Sequence, residues 1–314
     1  RAIGGRSKKG RGGKGERGGG AAGVAQGTDQ KQATAQGYNT TTSQMENRTV
    51  SVTVNVQSAQ SKLYGFVATS GGVDARNWIT YSAANPGSAT TIGSASQYWQ
   101  GGAYYEGNVY TVEYPRNTQG LSGYTGTVVY KSAVGADGSL GNPVEISRTL
   151  NIEVGSLAID YNTGRMYGVD LTNGGLVIVD TQTGLIDPLG TFKFDGRVDS
   201  SEYVMTAMAI ICKGTETTIL TSSMNGNLYT VDPDTLECTN IGNAGGAEYW
   251  GYGSMTYDYN TGNIYWAPAR MGGSNPLLLV TPEGRGPTLR AQGPELDWAP
   301  PYARVCAHAW FRCP

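Results

Sequence analysis

Histidine is almost absent from this chain, and this limits the chemistry open to it. His308 is the only histidine, and it lies near the C-terminus. Serine and cysteine nucleophiles are commonly activated by a histidine base, and catalytic zinc or non-haem iron centres are built on two or three histidine ligands. The sequence therefore disfavours nucleophilic and histidine-metal catalysis, and it predicts neither a metal site nor a cofactor.

Carboxylates are the remaining catalytic candidates. Glycosidase chemistry requires two carboxyl groups placed across a sugar. The acidic residues that lie in loops of the sequence and could form such a pair are Glu106, Asp195, Asp199, Glu202 and Glu248. The sequence does not show that any two of them converge, and solvated loop charge is the favoured interpretation. A carboxylate-dependent hydrolase or lyase acting on polysaccharide is kept as an alternative function.

Aromatic residues give a stronger indication of binding. Three loops are rich in them, SQYWQGG at 96–102, DGRVDSSEYV at 195–204 and GGAEYWGYG at 245–253. Tyrosine and tryptophan combine a large contact area with a hydrogen-bonding group, which suits the capture of carbohydrate or protein. The candidate ligand-binding residues are Tyr98, Trp99, Tyr203, Tyr249, Trp250 and Tyr252. The alternative, that these rings pack as core between structural units, stays open.

The elements that position these loops are predicted from an internal repeat. SLAIDYNTGRMYGVD at 156–170 returns as SMTYDYNTGNIYWAP at 254–268. Around both phrases, short β-rich runs alternate with Gly, Asn and Asp turns in units of about 40 to 50 residues, and no run has a helical period. Four strands per unit are typical of propeller blades. The predicted fold is all-β, a β-propeller of about five four-stranded blades, with an incomplete larger ring as the alternative.

The repeated phrase predicts a turn between the first and second strands of a blade. Asn162 and Gly164 tolerate positive φ, which suits a tight reversal. Asp160 and Asp258 could instead bind calcium through their carboxylates. One carboxylate per turn is too few for that purpose, so the structural interpretation is favoured. Because equivalent loops share one face of a propeller, the three aromatic loops are expected on a common side.

The ends of the chain differ from its body. Residues 1–24 carry seven basic residues and one acid. We predict a disordered basic Gly-rich leader at 1–27, a polar linker at 28–48, the propeller at 49–293 and an atypical tail at 294–314. Nucleic-acid binding through the leader is a further alternative, which its lack of interleaved aromatic residues disfavours. No run of ~18 apolar residues exists, so no membrane-spanning helix is expected.

Cysteine spacing adds two expectations. Cys212, Cys238, Cys306 and Cys313 form no C-x-x-C pair, which argues against zinc and thioredoxin-type sites. Cys212 is predicted on an innermost strand and Cys238 on the outermost strand of the same blade. Two strands would separate them, which exceeds the reach of a disulfide, so both should remain thiols.

Two stretches carry a resemblance to a known kind of repeat. GLVIVDTQTGLIDPLG at 175–190 and NLYTVDPDTLECTNIG at 227–242 resemble propeller repeats of the YVTN type, found in prokaryotic surface proteins. The tetrapeptide that names that family is missing, and the blades here are longer. The resemblance implies a secreted or cell-surface binding module, although no signal segment is visible. The predicted function is therefore a non-catalytic extracellular binding or adhesion propeller, with a carbohydrate or protein as its ligand.

Overall fold

The structure is a computed structural model, and it describes only part of the chain. The described residues are 27–39, 44–56, 62–66, 77–83, 85–94, 97, 99–113, 126–195, 205–243, 253–259, 261–268 and 277–280. All regular elements among them are strands, so the all-β prediction is confirmed for this part of the molecule. The described residues contain no helix with the length and apolar character needed to cross a bilayer.

The chain divides into two compact units, residues 1–59 and 60–314. The first contains an antiparallel hairpin of β1 (Gly27–Asn39) and β2 (Gln44–Val56), paired without interruption from Gly27↔Val56 to Asn39↔Gln44. Of the segment predicted as a polar linker, 28–48, residues 28–39 and 44–48 thus lie in these two strands. The second unit begins its first strand at Lys62, later than the predicted start of the propeller at Thr49. The leader at 1–26 and the tail at 294–314 lie outside the described residues.

The second unit contains five small sheets arranged as a five-bladed propeller, as the repeat predicts. Blades 2, 3 and 4 each contain the four predicted strands, and blades 1 and 5 contain three strands each among the described residues. Blade 1 comprises β3 (Lys62–Phe66), β4 (Asn77–Ser82) and β5 (Asn85–Ser94); blade 2 comprises β6 (Trp99–Tyr105), β7 (Asn108–Glu113), β8 (Gly126–Ala133) and β9 (Val144–Leu150). Blade 3 comprises β10 (Val154–Asp160), β11 (Arg165–Asp170), β12 (Gly175–Val179) and β13 (Ile186–Thr191).

Blade 4 has a fifth strand that the sequence did not indicate. It comprises β15 (Met205–Lys213), β16 (Glu216–Ser223), β17 (Asn227–Val231) and β18 (Glu237–Asn243), and the two-residue β14 (Lys193–Phe194) pairs in parallel with β18. Blade 5 comprises β19 (Ser254–Asp258), β20 (Asn263–Ala267) and β21 (Leu278–Val280). The fourth strand expected for blade 5 would fall after residue 280, outside the described residues.

In blade 3, burial falls from the centre of the blade to its rim. All seven residues of β10 are buried, whereas β13 at the outer edge of the same blade contains no buried residue. An innermost strand is covered on both faces by neighbouring blades, which explains the continuous burial of β10 and of the first seven residues of β15. Gly101 allows close approach of β6 to β10, since a Cβ there would lie 2.9 Å from Ser156 Cα.

The ring closes with five blades. Tyr265 and Leu277 of blade 5 pack against Leu63, Ile79 and Tyr81 of blade 1. The first and last blades therefore meet through buried apolar contacts. The alternative of an incomplete larger ring is not supported by this packing.

One turn motif, Asp-x-x-Thr followed by a residue with positive φ, occurs at four strand reversals. In the turn from Asp160, Gly164 N–H donates to the Asp160 carbonyl over 2.7 Å and has φ of 72°. Asn162 has no positive φ; its N–H donates to the Asp160 carboxylate instead. The same motif begins at Asp180, Asp232 and Asp258 and ends at Gly184, Leu236 and Gly262, all with positive φ. The turn interpretation of the repeated phrase is therefore confirmed.

Candidate functional site: a tyrosine-lined pocket at the centre of the ring

A pocket lies between the innermost strands of blades 2, 3, 4 and 5. Its cavity volume is about 50 Å³, and it opens to solvent. Its walls are formed by consecutive residues of β6, β10, β15 and β19 together with the two DYNTG turns. The lining residues are Gly102, Ala103, Tyr104, Leu157, Ala158, Ile159, Tyr161, Ala209, Ile210, Met255, Thr256, Tyr257 and Tyr259. Four blades thus contribute to one concave surface.

The tyrosine of each DYNTG phrase connects two blades. Tyr161 of blade 3 donates its hydroxyl to the Tyr104 carbonyl of blade 2 over 2.8 Å. Tyr259 of blade 5 donates to the Ile210 carbonyl of blade 4 over 3.1 Å. Both tyrosines therefore reach back to the innermost strand of the preceding blade. Sequence reasoning explained the repeated phrase by its turn alone and missed this role, although the tyrosine occupies the same position in both copies.

Four tyrosine rings contact one another in this region. The ring centres lie 6.2 Å apart for Tyr105 and Tyr161, 5.4 Å for Tyr161 and Tyr259, and 4.7 Å for Tyr257 and Tyr259. The last two pairs meet edge to face, the favoured geometry for aromatic pairs. Burial raises the pKa of both Tyr257 and Tyr259, with smaller contributions from Asp258 to the first and Cys212 to the second. These hydroxyls therefore remain protonated donors at neutral pH.

Asp160 joins blade 3 to blade 4 beside the pocket. Its carboxylate accepts hydrogen bonds from Thr163 Oγ1 (2.8 Å), Thr217 Oγ1 (3.1 Å) and Cys212 Sγ (3.3 Å). Burial raises the pKa of Asp160, but the hydrogen bonds from Thr163, Asn162, Cys212 and Thr217 together lower it below the ordinary value. The carboxylate is therefore an ionised acceptor, and both its oxygens already serve structural contacts.

The described residues offer no donor set for a metal at this place. They contain no group of three or more His, Cys, Asp or Glu side chains arranged to hold an ion. Asp258 repeats the pattern of Asp160, since Thr261 Oγ1 donates to its carboxylate and Gly262 N–H to its carbonyl. The two aspartates of the repeated phrase thus act as turn residues.

Trp99 is the one sequence-predicted ligand-binding residue that the structure describes. It begins β6 and is 3% exposed. Its ring meets Phe66 of blade 1 edge to face, with centres 3.9 Å apart. This is the core packing that the sequence left open as the alternative. Tyr98, Tyr203, Tyr249, Trp250 and Tyr252 lie outside the described residues, and a shared aromatic surface on their loops stays a prediction.

The two described candidate acids lie at opposite ends of their blades. Glu106 follows the innermost strand β6, in its turn to β7. Asp195 follows β14, which runs parallel to its neighbour β18 and hence opposite to the innermost strand β15. A catalytic pair of these two residues is therefore not formed. Asp199, Glu202 and Glu248 lie outside the described residues.

The expected positions of two cysteines are confirmed. Cys212 lies on β15, the innermost strand of blade 4, and Cys238 lies on β18, the outermost of its four predicted strands. Both are free thiols. Burial, with a smaller contribution from Glu237, raises the pKa of the Cys238 thiol to about 12. Cys306 and Cys313 lie outside the described residues.

Comparison with known proteins gives likeness of fold alone. No family model and no curated protein matches this sequence, so the resemblance to YVTN-type repeats stays a prediction. Among solved structures, a nidogen–laminin complex matches with 11% identity and a TM-score of 0.45, over 71% of this chain and 74% of the other. A Bacteroides thetaiotaomicron protein of unknown function matches with 16% identity and a TM-score of 0.42, over 75% of this chain and 65% of the other.

A third solved structure is an enzyme. The exo-β-1,3-galactanase of Phanerochaete chrysosporium, with bound β-1,3-galactotriose, matches with 10% identity and a TM-score of 0.44. The match covers 71% of this chain and 52% of that protein. Likenesses this distant carry no argument about activity or ligand.

Proposed function

We propose that this chain is a non-catalytic binding propeller that captures a carbohydrate or protein ligand in the tyrosine-lined pocket at its centre. The observation that supports this most directly is the pocket itself. Tyr104, Tyr161, Tyr257 and Tyr259 are among its lining residues, and its walls come from four blades. A concave, mostly apolar surface with a few convergent polar groups is the usual form of a ligand site.

The construction of the pocket favours binding over catalysis. Tyr161 and Tyr259 use their hydroxyls to hold neighbouring blades, which leaves their rings as contact surfaces. The nearest carboxylate, Asp160, is committed to hydrogen bonds within its turn and across to blade 4. A general acid needs a proton to deliver, and the lowered pKa of Asp160 works against that role.

A second binding surface is proposed from the sequence alone. The loops with Tyr98, Tyr203, Tyr249, Trp250 and Tyr252 precede innermost strands. They would therefore lie at the end of the ring opposite to the DYNTG turns. A large ligand could occupy that end while a small one occupies the central pocket. Substitutions at the loops and at the pocket show which of the two sites a ligand uses.

A location outside a prokaryotic cell is part of the proposal and rests only on the resemblance to YVTN-type repeats. Cell fractionation of a source organism, with an antibody against residues 60–314, tests it. Recovery from the medium or the cell surface would support an extracellular role. Recovery only from the cytoplasm would contradict the proposed adhesion function but not the proposed binding of a ligand at the pocket.

Array binding tests the proposed function. The full chain is applied to a glycan array and to an array of surface-protein peptides, and the signals are compared with those of Tyr161→Ala and Tyr259→Ala. We expect each alanine variant to lose at least about tenfold in affinity, because an aromatic anchor is removed. Tyr161→Phe keeps the ring and serves as the matched control, with an expected loss of less than about threefold.

The loop variants Trp250→Ala and Tyr252→Ala complete that test. A ligand whose binding depends on these residues, and not on Tyr161 or Tyr259, would move the site to the opposite end of the ring. Turnover of a polysaccharide by the full chain would overturn the non-catalytic assignment. Thermal unfolding of every variant shows whether a lost signal reflects lost folding.

A further inference from the structure

We infer that the outer edge of blade 2 is a self-association site, at which a second copy of this chain pairs antiparallel with strand β9 (Val144–Leu150). This inference is independent of the central pocket. Three observations carry it: the edge lacks the protection seen on blades 3 and 4, it carries exposed apolar side chains, and its bulge and charges are self-complementary under a two-fold rotation.

The outer edges of blades 2, 3 and 4 differ in how they are protected. In blade 4, β14 of the same chain covers part of β18 by pairing with Glu237 and Cys238. In blade 3, β13 contains Pro188, which has no N–H to offer to a further strand. In blade 2, β9 contains no proline, pairs with β8 along one side, and has no neighbour on its other side among the strands that the structure describes. An edge of this kind is a template for another strand.

Apolar side chains are exposed at the same edge. Of the large hydrophobic side chains that the structure describes, only Val144, Leu150 and Leu185 are more than half exposed. Val144 and Leu150 are the two end residues of β9. Leu185 of blade 3 lies beside this strand, because the carbonyl of the preceding Gly184 accepts the hydroxyl of Ser147. Exposed apolar residues that cluster in this way are typical of an interaction surface.

A bulge in β9 determines which kind of strand can pair with it. The register with β8 shifts at Ile146, which is an extra residue between Glu145 and Ser147. Glu145 and Arg148 therefore turn their backbone groups in the same direction, although an odd number of positions separates them. A regular peptide that pairs on one side of Ile146 falls out of register on the other side. An antiparallel second copy carries the same bulge at the same place and stays in register on both sides.

The charges beside the bulge are complementary to those of a second copy. A two-fold axis between Ile146 and Ser147 places Glu145 of each copy opposite Arg148 of the other. These two residues form an ion pair within the chain, with Arg148 Nη2 2.9 Å from Glu145 Oε2, which shows that they share one face of the strand. Opposite charges that face each other across an antiparallel pair stabilise it. The pairing therefore forms two new contacts of opposite charge.

The same register closes the assembly at two copies. Val144 lies opposite Thr149, and Leu150 lies opposite Pro143, so the exposed apolar ends of the strand gain contact area. The two four-stranded blades then form one continuous sheet. A contact in which the same patch is used by both copies leaves no free edge for a third copy. We therefore expect a dimer and no larger assembly.

Sedimentation velocity of the full chain, under reducing conditions that exclude disulfide dimers, tests this inference. We expect a monomer–dimer equilibrium for the wild type. Arg148→Glu and Glu145→Arg should each weaken dimerisation at least about tenfold, because like charges then face each other twice in the dimer. Asp187→Arg makes the second charge change at an exposed position on β13, and should alter dimerisation less than about twofold. Equal thermal midpoints exclude loss of folding as the cause.

A mixture of the two variants identifies the partner and the register. At concentrations where the wild type dimerises, Arg148→Glu alone and Glu145→Arg alone should be monomeric. Their mixture should dimerise with an affinity within about threefold of the wild type, because opposite charges again face each other at both positions. A mixture that stays monomeric would overturn the register and the inference with it.

Hydrogen exchange measures the backbone pairing directly. A rise in concentration from monomer to dimer should slow exchange of the β9 amides and leave those of β13 unchanged. A wild-type chain that is still monomeric at about 1 mM would overturn the inference. So would a dimer whose β9 amides exchange as they do in the monomer. Neither result bears on ligand binding at the central pocket, so this inference and the proposed function can fail separately.

Discussion

Blades 1 and 2 are joined differently from blades 3 and 4. Phe66 and Trp78 of blade 1 pack together with ring centres 4.8 Å apart, and the Phe66 ring lies 3.9 Å from that of Trp99 in blade 2. Trp78 Nε1–H also donates to the Gly138 carbonyl of blade 2 over 2.9 Å. Between blades 3 and 4, Asp160 accepts hydrogen bonds from Cys212 and Thr217 across the interface of the two blades. We call such an interface between neighbouring blades a seam. Both seams have buried apolar cores, but the first is rich in aromatic rings, whereas the second adds a polar cluster beside the pocket.

The two seams also differ in how completely their polar atoms are satisfied. On the face of blade 2 that carries Trp99, the buried Trp99 Nε1, Thr111 Oγ1 and Ser132 Oγ have no hydrogen-bond partner. The Asp160 cluster contains no such atom among the described residues. Apolar packing is non-directional and tolerates an occasional unpaired polar atom. An ionised buried carboxylate, in contrast, is destabilised by the loss of any hydrogen-bond donor. Substitutions should therefore act mainly on packing energy in the first seam, and on hydrogen bonding and its pH dependence in the second.

The largest effect is expected at Trp99. Trp99→Ala removes a buried ring from the aromatic seam and should lower the free energy of unfolding by about 3–5 kcal/mol. Chemical denaturation measures this, with Trp99→Phe as a variant that keeps part of the packing. A loss below about 1 kcal/mol would mean that the ring contributes little to the core. Trp99 would then again be a candidate for the aromatic ligand-binding surface predicted from the sequence.

Asp160→Ala should have the next largest effect. The change leaves the Asn162 N–H and the hydroxyls of Thr163 and Thr217 without their acceptor, and should cost about 2–3 kcal/mol of unfolding free energy. Asp180→Ala, in the same turn motif but exposed at the rim of blade 3, is the matched control and should cost less. Equal losses at both positions would show that the contacts across to blade 4 add nothing.

The same carboxylate should make stability depend on pH. Because the pKa of Asp160 is lowered in the folded state, its contribution is present above the unfolded pKa of about 4 and is lost as pH falls through the folded pKa. The difference in unfolding free energy between wild type and Asp160→Asn should therefore shrink as pH falls from neutrality into the acid range. A difference that does not change with pH would show that the charge of Asp160 is not what stabilises the seam.

Two buried threonines of blade 2 differ in whether their hydroxyl groups are hydrogen-bonded. Thr127 Oγ1 donates to Ile152 O over 2.7 Å and accepts from Val154 N–H over 2.9 Å, while Thr111 Oγ1 has no partner. Thr127→Val should cost about 1–2 kcal/mol, and Thr111→Val should be neutral or slightly stabilising. Unfolding midpoints of the two variants check this. A clear loss for Thr111→Val would mean that water satisfies its hydroxyl.

The smallest effect is expected at Leu236, on the outer part of the seam between blades 3 and 4. It has φ of 63° where the other three turns of the motif have glycine, and it is buried. Leu236→Gly relieves strain of roughly 1–2 kcal/mol and removes apolar contact of about the same size. The net change in unfolding free energy should stay below about 1 kcal/mol. A large loss would show that packing outweighs the strain.

Much of the strand pattern could be predicted from the sequence. Short β-rich runs separated by Gly, Asn and Asp turns gave the strands of blades 2, 3 and 4 in the right order, because strand formation and turn formation depend on nearby residues. The placement of Cys212 and Cys238 followed from the same order. The hairpin at 27–56 was missed because its first strand is rich in Thr and Gln, and because the valine alternation at 50–56 in its second strand was assigned to the propeller.

The candidate site was less accessible to sequence reasoning. Aromatic content identified loops, but it could not distinguish a ring on the surface from one in a seam, and Trp99 lies in a seam. The tyrosines of the pocket were visible in the repeated phrase and were passed over because the turn already explained it. Their partners, the Tyr104 and Ile210 carbonyls, are backbone atoms that carry no signal in a sequence.

The sequence by itself determined the local turns at Asp160 and Asp258 and the all-β class, because each of these depends on residues a few positions apart. It also determined the repeat, because the two copies of the phrase can be compared directly. Only the tertiary structure decided that blade 5 meets blade 1, that Tyr161 and Tyr259 hold neighbouring blades, and that four innermost strands enclose a pocket. These features join residues about 50 or more positions apart, and their formation depends on how whole sheets pack around a common axis. Packing of that kind is set by shape and burial, which a one-dimensional pattern does not record.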